Sequence, residues 1–388
     1  MTLQIDKKFV TSTLQRLVRI DSRNPNMTPD GPGEAEIGQD IAGLLRQWGL
    51  QVRVHELGPS RVNVVGVLPG RGEGRSLLLN GHMDTVGVED MKDPFSGQIR
   101  QGQLYGRGSQ DMKGSLAAML GAAKSLIDGE VGLAGDLILA FVADEEDRSL
   151  GTRDLVDQYR ADAAVVTEPT GMDVVHAHRG LTYYQVETFG RAAHGSRFQE
   201  GVDAITHMGR FLARLDHLQR ELPRRSPHPL AGPPSLHAGL IQGGTDIPTY
   251  PAHCSLKIDR RTVPGEHEEE VTAELQKIID RLASEDEEFK AVVKPIMQRP
   301  PLETPADAGI IQSLRAAFRD QLGRSPRTKG VAYWSDAALL AGAGMEAVLL
   351  GPAGEGLHGP EEWVDLASVH ELSQVLAGTA VDYCNQAE

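Results

Sequence analysis

Cysteine is nearly missing from this sequence: 388 residues hold two, Cys254 and Cys384, in no CxxC arrangement. That excludes a disulfide scaffold and a thiolate zinc site. Basic residues are also short, 39 against 54 acids, for a formal charge of −15. Nucleic-acid and anionic-membrane binders concentrate Lys and Arg, so neither class fits. No apolar run approaches the roughly 20 residues that span a bilayer. "MTLQIDKKFVTSTLQRLVRI" also puts charges where a signal peptide carries a continuous apolar stretch. A cytoplasmic protein with no nucleic-acid or membrane partner is the expectation. A phosphate cradle is missing too. "GRGSQDMKG" lacks both GxGxxG spacing and the Lys-Ser/Thr pair, and its Asp would repel phosphate.

What is present suits a globular chain with a proper core: 40% hydrophobic and 24% charged residues, at a length that predicts two domains. The spacing of Phe9, Leu14, Leu17 and Val18 predicts a first helix, and "GEAEIGQDIAGLLRQWGL" a second. Short apolar runs follow in "QVRVHEL", "RVNVVGVL" and "RSLLLNG". Then come a helix in "DMKGSLAAMLGAAKSLI" with Leu116, Met119, Leu120 and Ala123 on one face, the strand "DLILAFVADEE", a helix over 151–160 and "DAAVVTEP". Continuous apolar strands alternating with helices predict an α/β domain whose largely parallel sheet is covered on both faces.

The pattern changes near residue 179. "GLTYYQVETFG" and "HCSLKIDRRTV" alternate as half-exposed strands do, with amphipathic helices at about 201–220 and 265–284. "LPRRSPHPLAGPPS" reads as a loop. The buried pattern returns from "LETPADAGIIQSLRAAF" to "MEAVLLGP". The expected organisation is a discontinuous domain, 1–178 and 296–388, with a smaller α+β domain inserted at 179–295.

Polar residues follow each buried strand of the first domain. "SLLLNG" leads to His82 and Asp84, "LILAFVAD" to Glu145 and Glu146, "AAVVT" to Glu168 and "AVLLGPAGEGL" to His358, while Asp111 opens a helix after "GRGSQ". In open α/β sheets, ligands gather beyond the carboxyl ends of the strands. Singly, each residue has a plain structural role: a loop histidine, a turn aspartate, a helix cap at Asp111, a solvated run in "ADEEDRS". Together, imidazoles and carboxylates without thiolates suit a hydrolytic site with zinc, cobalt or manganese. Two metals about 4 Å apart need one shared ligand and about two terminal ligands each. One aspartate, two histidines and two glutamates meet that inventory. Of the remaining acids, Asp84 can accept a hydrogen bond from the other nitrogen of His82. Glu145 can move a proton between water and a leaving amine.

"NGHMDTV", "GRGSQDMKGSLAAML", "DEEDRSLGT", "TEPTG", "HRGLTYYQVETFGRAAHGSRFQEGVDAI" with "IDRRTVPGE", and "LHGPEEWV" stand in the order seen in the M20 family of metallopeptidases and deacylases, which the chain resembles over about residues 80 to 365. The resemblance implies two divalent ions, zinc with cobalt or manganese as alternatives. Asp111 would bridge them, His82 and Glu168 would complete one, and Glu146 and His358 the other. Asp84 would orient His82, and Glu145 would be the general acid/base. It further implies that the inserted domain is a lid through which two copies pair. Its His194 would stabilise the oxyanion across the dimer, and Arg261 would bind a substrate carboxylate. The implied reaction removes the acyl group from an N-acyl amino acid, acetylornithine-type compounds leading. The alternatives are a dipeptidase or carboxypeptidase acting on short peptides, or a non-catalytic metal-binding homologue. Two departures touch specificity: Gly87 stands where relatives often have Pro, and Thr245, Asp246 and Pro248 stand where the lid often supplies an Asn.

Overall fold

The computed structural model describes residues 3–387, which form two compact units. One comprises the chain up to His176, Thr304–Lys329 and the residues from Ser335 onward; the other comprises Ala177–Glu303 and Gly330–Trp334. Residues 296–303 and 330–334 therefore group with the second unit. The first of these segments begins within the strand Lys290–Arg299, which pairs with Gly180–Phe189.

In the first unit the strands lie in the order Gln51–Gly58, Arg61–Leu68, Leu137–Val142, Leu77–His82, Ala163–Val166, Glu346–Leu349 and Val174–His178, the last leading out of the unit. The four from Leu137–Val142 to Glu346–Leu349 are parallel, and the flanking pairs are antiparallel. The parallel strands are buried almost throughout, which is why they read as unbroken apolar runs.

Strand alternation sorts their side chains. Leu77, Leu79, Leu137, Leu139, Phe141 and Val165 join one core with the helices Lys7–Arg19, Ala35–Gln47, Gly114–Asp128, Gly309–Leu322 and Leu366–Cys384. Leu78, Ile138, Ala140 and Ala164 are buried outside that cluster, on the face met by Leu150–Gln158 and Ala337–Gly342. Each fully buried Leu contributes roughly 1.5–3 kcal/mol.

Local chemistry sets the helices. Asp6 caps Lys7–Arg19 by accepting from the Phe9 amide at 3.0 Å, and Val10, Leu14, Leu17 and Val18 face inward. Gly114–Asp128 buries more than its expected stripe, since Ala117, Ala118 and Ala122 are enclosed as well. It contacts both Lys7–Arg19 and Leu366–Cys384, so it is apolar all round. A Cβ at Gly121 would stand 2.4 Å from Val10 and 2.6 Å from Ser373, so only glycine permits this approach.

The second unit is an antiparallel sheet ordered Ser235–Gly243, His253–Thr262, Gly180–Phe189, Lys290–Arg299. The helices Ala204–Glu221 and Glu268–Glu285 cover one face, with Tyr184, Val186, Phe211, Leu256, Ile258 and Leu275 between. Both edge strands are additions to the sequence expectation. Ser235–Gly243 is exposed over most of its length, and Lys290–Arg299 is broken by Pro295 at a register shift, so neither shows a clean alternation. Among the described residues no helix is long and apolar enough to cross a membrane.

Candidate metal centre

His82 is the last residue of its strand, Glu145 and Glu146 lie just past Leu137–Val142, and Glu168 lies just past Ala163–Val166. These strands are parallel neighbours, so their carboxyl ends deliver the three segments to one place. Glu346–Leu349 is the next strand, and the chain beyond it carries His358. Asp111 sits in the kinked segment Ser109–Lys113 that opens Gly114–Asp128.

Asp111 lies between the two imidazoles. Its Oδ1 is 3.0 Å from His82 Nε2, and its Oδ2 is 3.4 Å from His358 Nε2. Glu168 Oε1 stands 3.7 Å from His82 Nε2, and Glu146 Oε2 stands 3.3 Å from His358 Nε2. His82 with Glu145 and Glu168, and His82 with Asp111 and Glu146, each offer ligand atoms within 4.8 Å of one another. His358 has φ 59°, a left-handed conformation that non-glycine residues adopt at a cost.

Asp84 is fully buried, but the His82 Nδ1–H goes to its backbone carbonyl at 2.8 Å, while its carboxylate stays 3.7 Å away. A carbonyl only accepts, so Nδ1 carries a proton, and Nε2 is the nitrogen turned toward the cluster. The Asp84 carboxylate instead accepts from the amides of Glu145 at 3.1 Å and Glu146 at 3.3 Å, and from Asn24 Nδ2 at 2.8 Å. It therefore ties the glutamate loop to the His82 strand. Beneath it, Asn24 also donates to Asp144, and Arg61 donates to Asp144 and to Asn24. Glu34 completes this buried group, 3.4 Å from Arg61.

The electrostatics are those of crowded acids. Burial, then the charges of Glu168 and Asp336, push Glu145 well above the ordinary carboxylate range. Burial and Asp111 raise Glu146, and the same two causes push Glu168 up to about 8. Burial disfavours the His82 imidazolium, yet the hydrogen bond to Asp111 and the charges of Glu168, Asp111 and Asp84 outweigh it and raise its pKa. Hydrogen bonds to Asp111 and Glu146 lift His358 to about 10. Burial opposes Asp111 ionisation, but its bonds to both histidines hold it below its usual value.

The donor set fits divalent metal ions. Glu146 Oε1 and Glu168 Oε1 are buried with no hydrogen-bond partner among the described residues, a cost that a cation would relieve. Two nitrogens and several carboxylate oxygens without thiolates match hard or borderline divalent ions.

His194 and Arg261 belong to the second unit. His194 is exposed, and its Nδ1 accepts from the Ser196 amide at 3.2 Å, which leaves Nε2 as the N–H of the neutral ring. The loop of Pro248 holds it in place: Gly195 donates to the Pro248 carbonyl, and Tyr250 to that of Ala193. Arg261 donates from Nε and Nη2 to Asp259 at 3.1 and 2.9 Å. Sequence reasoning did not find Asn24, Arg61, Asp144 or Glu34, nor the buried ion pair of Arg107 with Glu362, whose amide contacts reach Asp111. The available signals were a charged residue opening the apolar run "RVNVVGVL" and a second acid in "HGPEEWV".

Residues 78–382 match the family described as Peptidase family M20/M25/M40. The chain is 31% identical to an acetylornithine deacetylase of Myxococcus xanthus, covering 96% of this chain and 97% of that protein. It is 27% identical to an N-formyl-4-amino-5-aminomethyl-2-methylpyrimidine deformylase of Halalkalibacterium halodurans, covering 98% and 95%. Its fold resembles that of a tripeptidase from Staphylococcus aureus, with TM-score 0.78, 21% identity, and coverage of 98% of this chain and all of the other. The family match and these relatives make the protein a metal-dependent hydrolase of amide bonds, with a carboxylate–imidazole cluster suited to the metal. The chain belongs to the M20/M25/M40 peptidase family.

Proposed function

We propose that the protein is a binuclear zinc-dependent amidohydrolase that removes the acyl group from an N-acyl amino acid, in the manner of acetylornithine deacetylase. The carrying observation is Asp111, whose two carboxylate oxygens face two imidazoles from distant segments of the chain. In this reading His82 and Glu168 would hold one ion and Glu146 and His358 the other, with Asp111 shared between them. Bound divalent ions would polarise the amide carbonyl and acidify a water.

The chain's own residues supply the rest. Glu145, made basic by burial and neighbouring acids, takes a proton from the attacking water and hands it to the departing nitrogen. Asp84 keeps Glu145 and Glu146 in register with the His82 strand through its two amide contacts. With Nδ1–H committed to a carbonyl, Nε2 is the His82 nitrogen that would face a bound ion. His194, with Nε2–H outward, is assigned the oxyanion, and Arg261 the substrate carboxylate, with pairing of two copies through the second unit. Two buried free cysteines suit a reducing, cytoplasmic setting.

Metal analysis of the purified protein is expected to give two divalent ions per chain, zinc foremost; none would end the binuclear reading. Hydrolysis of N-acetyl, N-formyl and N-succinyl amino acids, run beside simple dipeptides, then separates deacylase from dipeptidase. Turnover of dipeptides alone would overturn the acyl-group assignment.

A further inference from the structure

Arg107 and Glu362 are among the most enclosed charges of the first unit, each with 1% of its side chain exposed. Their Nη1 and Oε2 are 2.6 Å apart across 255 residues of sequence. Neither touches the imidazoles or the bridging carboxylate oxygens. What they do touch is backbone. Arg107 Nε donates to the Gly87 carbonyl at 2.8 Å, and Nη2 to the Gly359 carbonyl at 2.9 Å. Glu362 Oε2 accepts from the Gly108 amide at 3.1 Å, and Oε1 accepts from the amides of Gln110 at 2.9 Å and Asp111 at 3.1 Å.

We infer that this pair is a clasp that sets the geometry of the metal centre: one buried ion pair fastens the three segments bearing His82, Asp111 and His358. The inference rests on the binuclear reading above. Gly87 follows His82 on the same segment, Gly359 adjoins His358, and the bond at Asp111 is to that residue's own amide. A ligand set must be held within about 0.5 Å, and ligands on loops reach that precision only through supporting bonds. These segments come from distant parts of the chain; the strands Gln103–Tyr105 and Trp363–Asp365 pair just beside the clasp, and the clasp carries that pairing on to Asp111, Gly359 and Gly87.

The chemistry suits the task. A carboxylate with two oxygens satisfies three converging N–H groups that the kinked entry to Gly114–Asp128 would leave unpaired. The planar guanidinium reaches two carbonyls and the carboxylate at once, which a lysine ammonium on a flexible stem does not do. The bond at Gly87 uses the backbone carbonyl, which any residue there supplies, so the clasp does not depend on the side chain at this position. Arg107 and Glu362 are thus positioning residues, acting through Asp111 and the two histidines.

The test titrates zinc alone, against a competing chelator, into metal-free full-length wild type, Glu362→Gln and Arg107→Lys. Thermal unfolding of each metal-free protein is followed alongside. Glu362→Gln turns an NH2 toward either the guanidinium or the loop amides, and Arg107→Lys keeps the charge but loses the bonds to Gly87 and Gly359. Each is expected to weaken zinc binding about 10–100-fold at temperatures well below its unfolding transition. A merely structural pair would lower the transition and leave the zinc affinity of the folded protein unmoved, within about twofold; that result overturns the clasp. If Glu362→Gln does not fold, Arg107→Lys decides in the same way. Wild type taking up two ions while both variants bind as tightly sinks the clasp alone. Wild type taking up none sinks the binuclear reading and the clasp with it.

Discussion

The two units handle acidic residues in opposite ways. In the first, Glu145, Glu146 and Glu168 crowd around the imidazoles while Glu34 is enclosed beside Arg61, and burial raises the pKa of all four. In the second, Glu285 and Asp286 lie at the surface beside Arg281, Arg214 and Arg210, and those hydrogen bonds lower them. Enclosing unpartnered carboxylates costs stability, whereas a solvated ion pair contributes little either way. The costly arrangement is concentrated where the strand ends meet, which is the signature of a site shaped for chemistry rather than for stability.

Three substitutions would break or sharpen that contrast. The largest effect is expected for Glu145→Gln, which should lower kcat about 10²–10⁴-fold while two metal ions stay bound and thermal stability is not reduced. Near-normal turnover would remove Glu145 from the acid/base role. Glu34→Gln comes next. Burial, then Asp84, lifts Glu34 from 4.5 to about 8 against the pull of Arg61. The folded state therefore holds a proton that the unfolded chain releases between those values. Its stabilising contribution is complete below about pH 4.5 and is lost as pH rises through about 8. The variant should consequently gain on wild type as pH climbs from 5 to 8, by a few degrees in Tm. A gap that stays constant or shrinks over that range would show that Glu34 is ionised when folded. The smallest effect belongs to Glu285→Gln, expected to move Tm by no more than about a degree. A large loss there would dissolve the contrast between the units.

Much of this was legible in the chain. His82, Glu145, Glu146 and Glu168 announce themselves because each follows a run of residues that only a buried strand explains. Parallel strands then bring such positions together by construction. Asp84 was legible as a neighbour of the cluster but not in its bonding. Whether its carbonyl or its carboxylate meets His82 depends on where the Glu145 and Glu146 amides arrive, 61 and 62 residues later. Asn24, Arg61, Arg107 and Glu362 were illegible for the same reason: a polar residue becomes buried through partners far away in sequence. The strands Ser235–Gly243 and Lys290–Arg299 escaped notice because alternation reports burial on one face, and neither strand is well buried on either.

The strand order also has a consequence for how the chain is made. Glu346–Leu349 lies between Ala163–Val166 and Val174–His178 in the sheet, although both partners precede it by more than a hundred residues of sequence. A ribosome delivers His82, Asp111, Glu145, Glu146 and Glu168 first, then the whole of Ala177–Glu303, and only afterwards the strand that fills the gap and the histidine beyond it. Until then Asp111 has one imidazole within reach. The inserted unit is therefore also an interval of time, separating a half-built cation cradle from its completion.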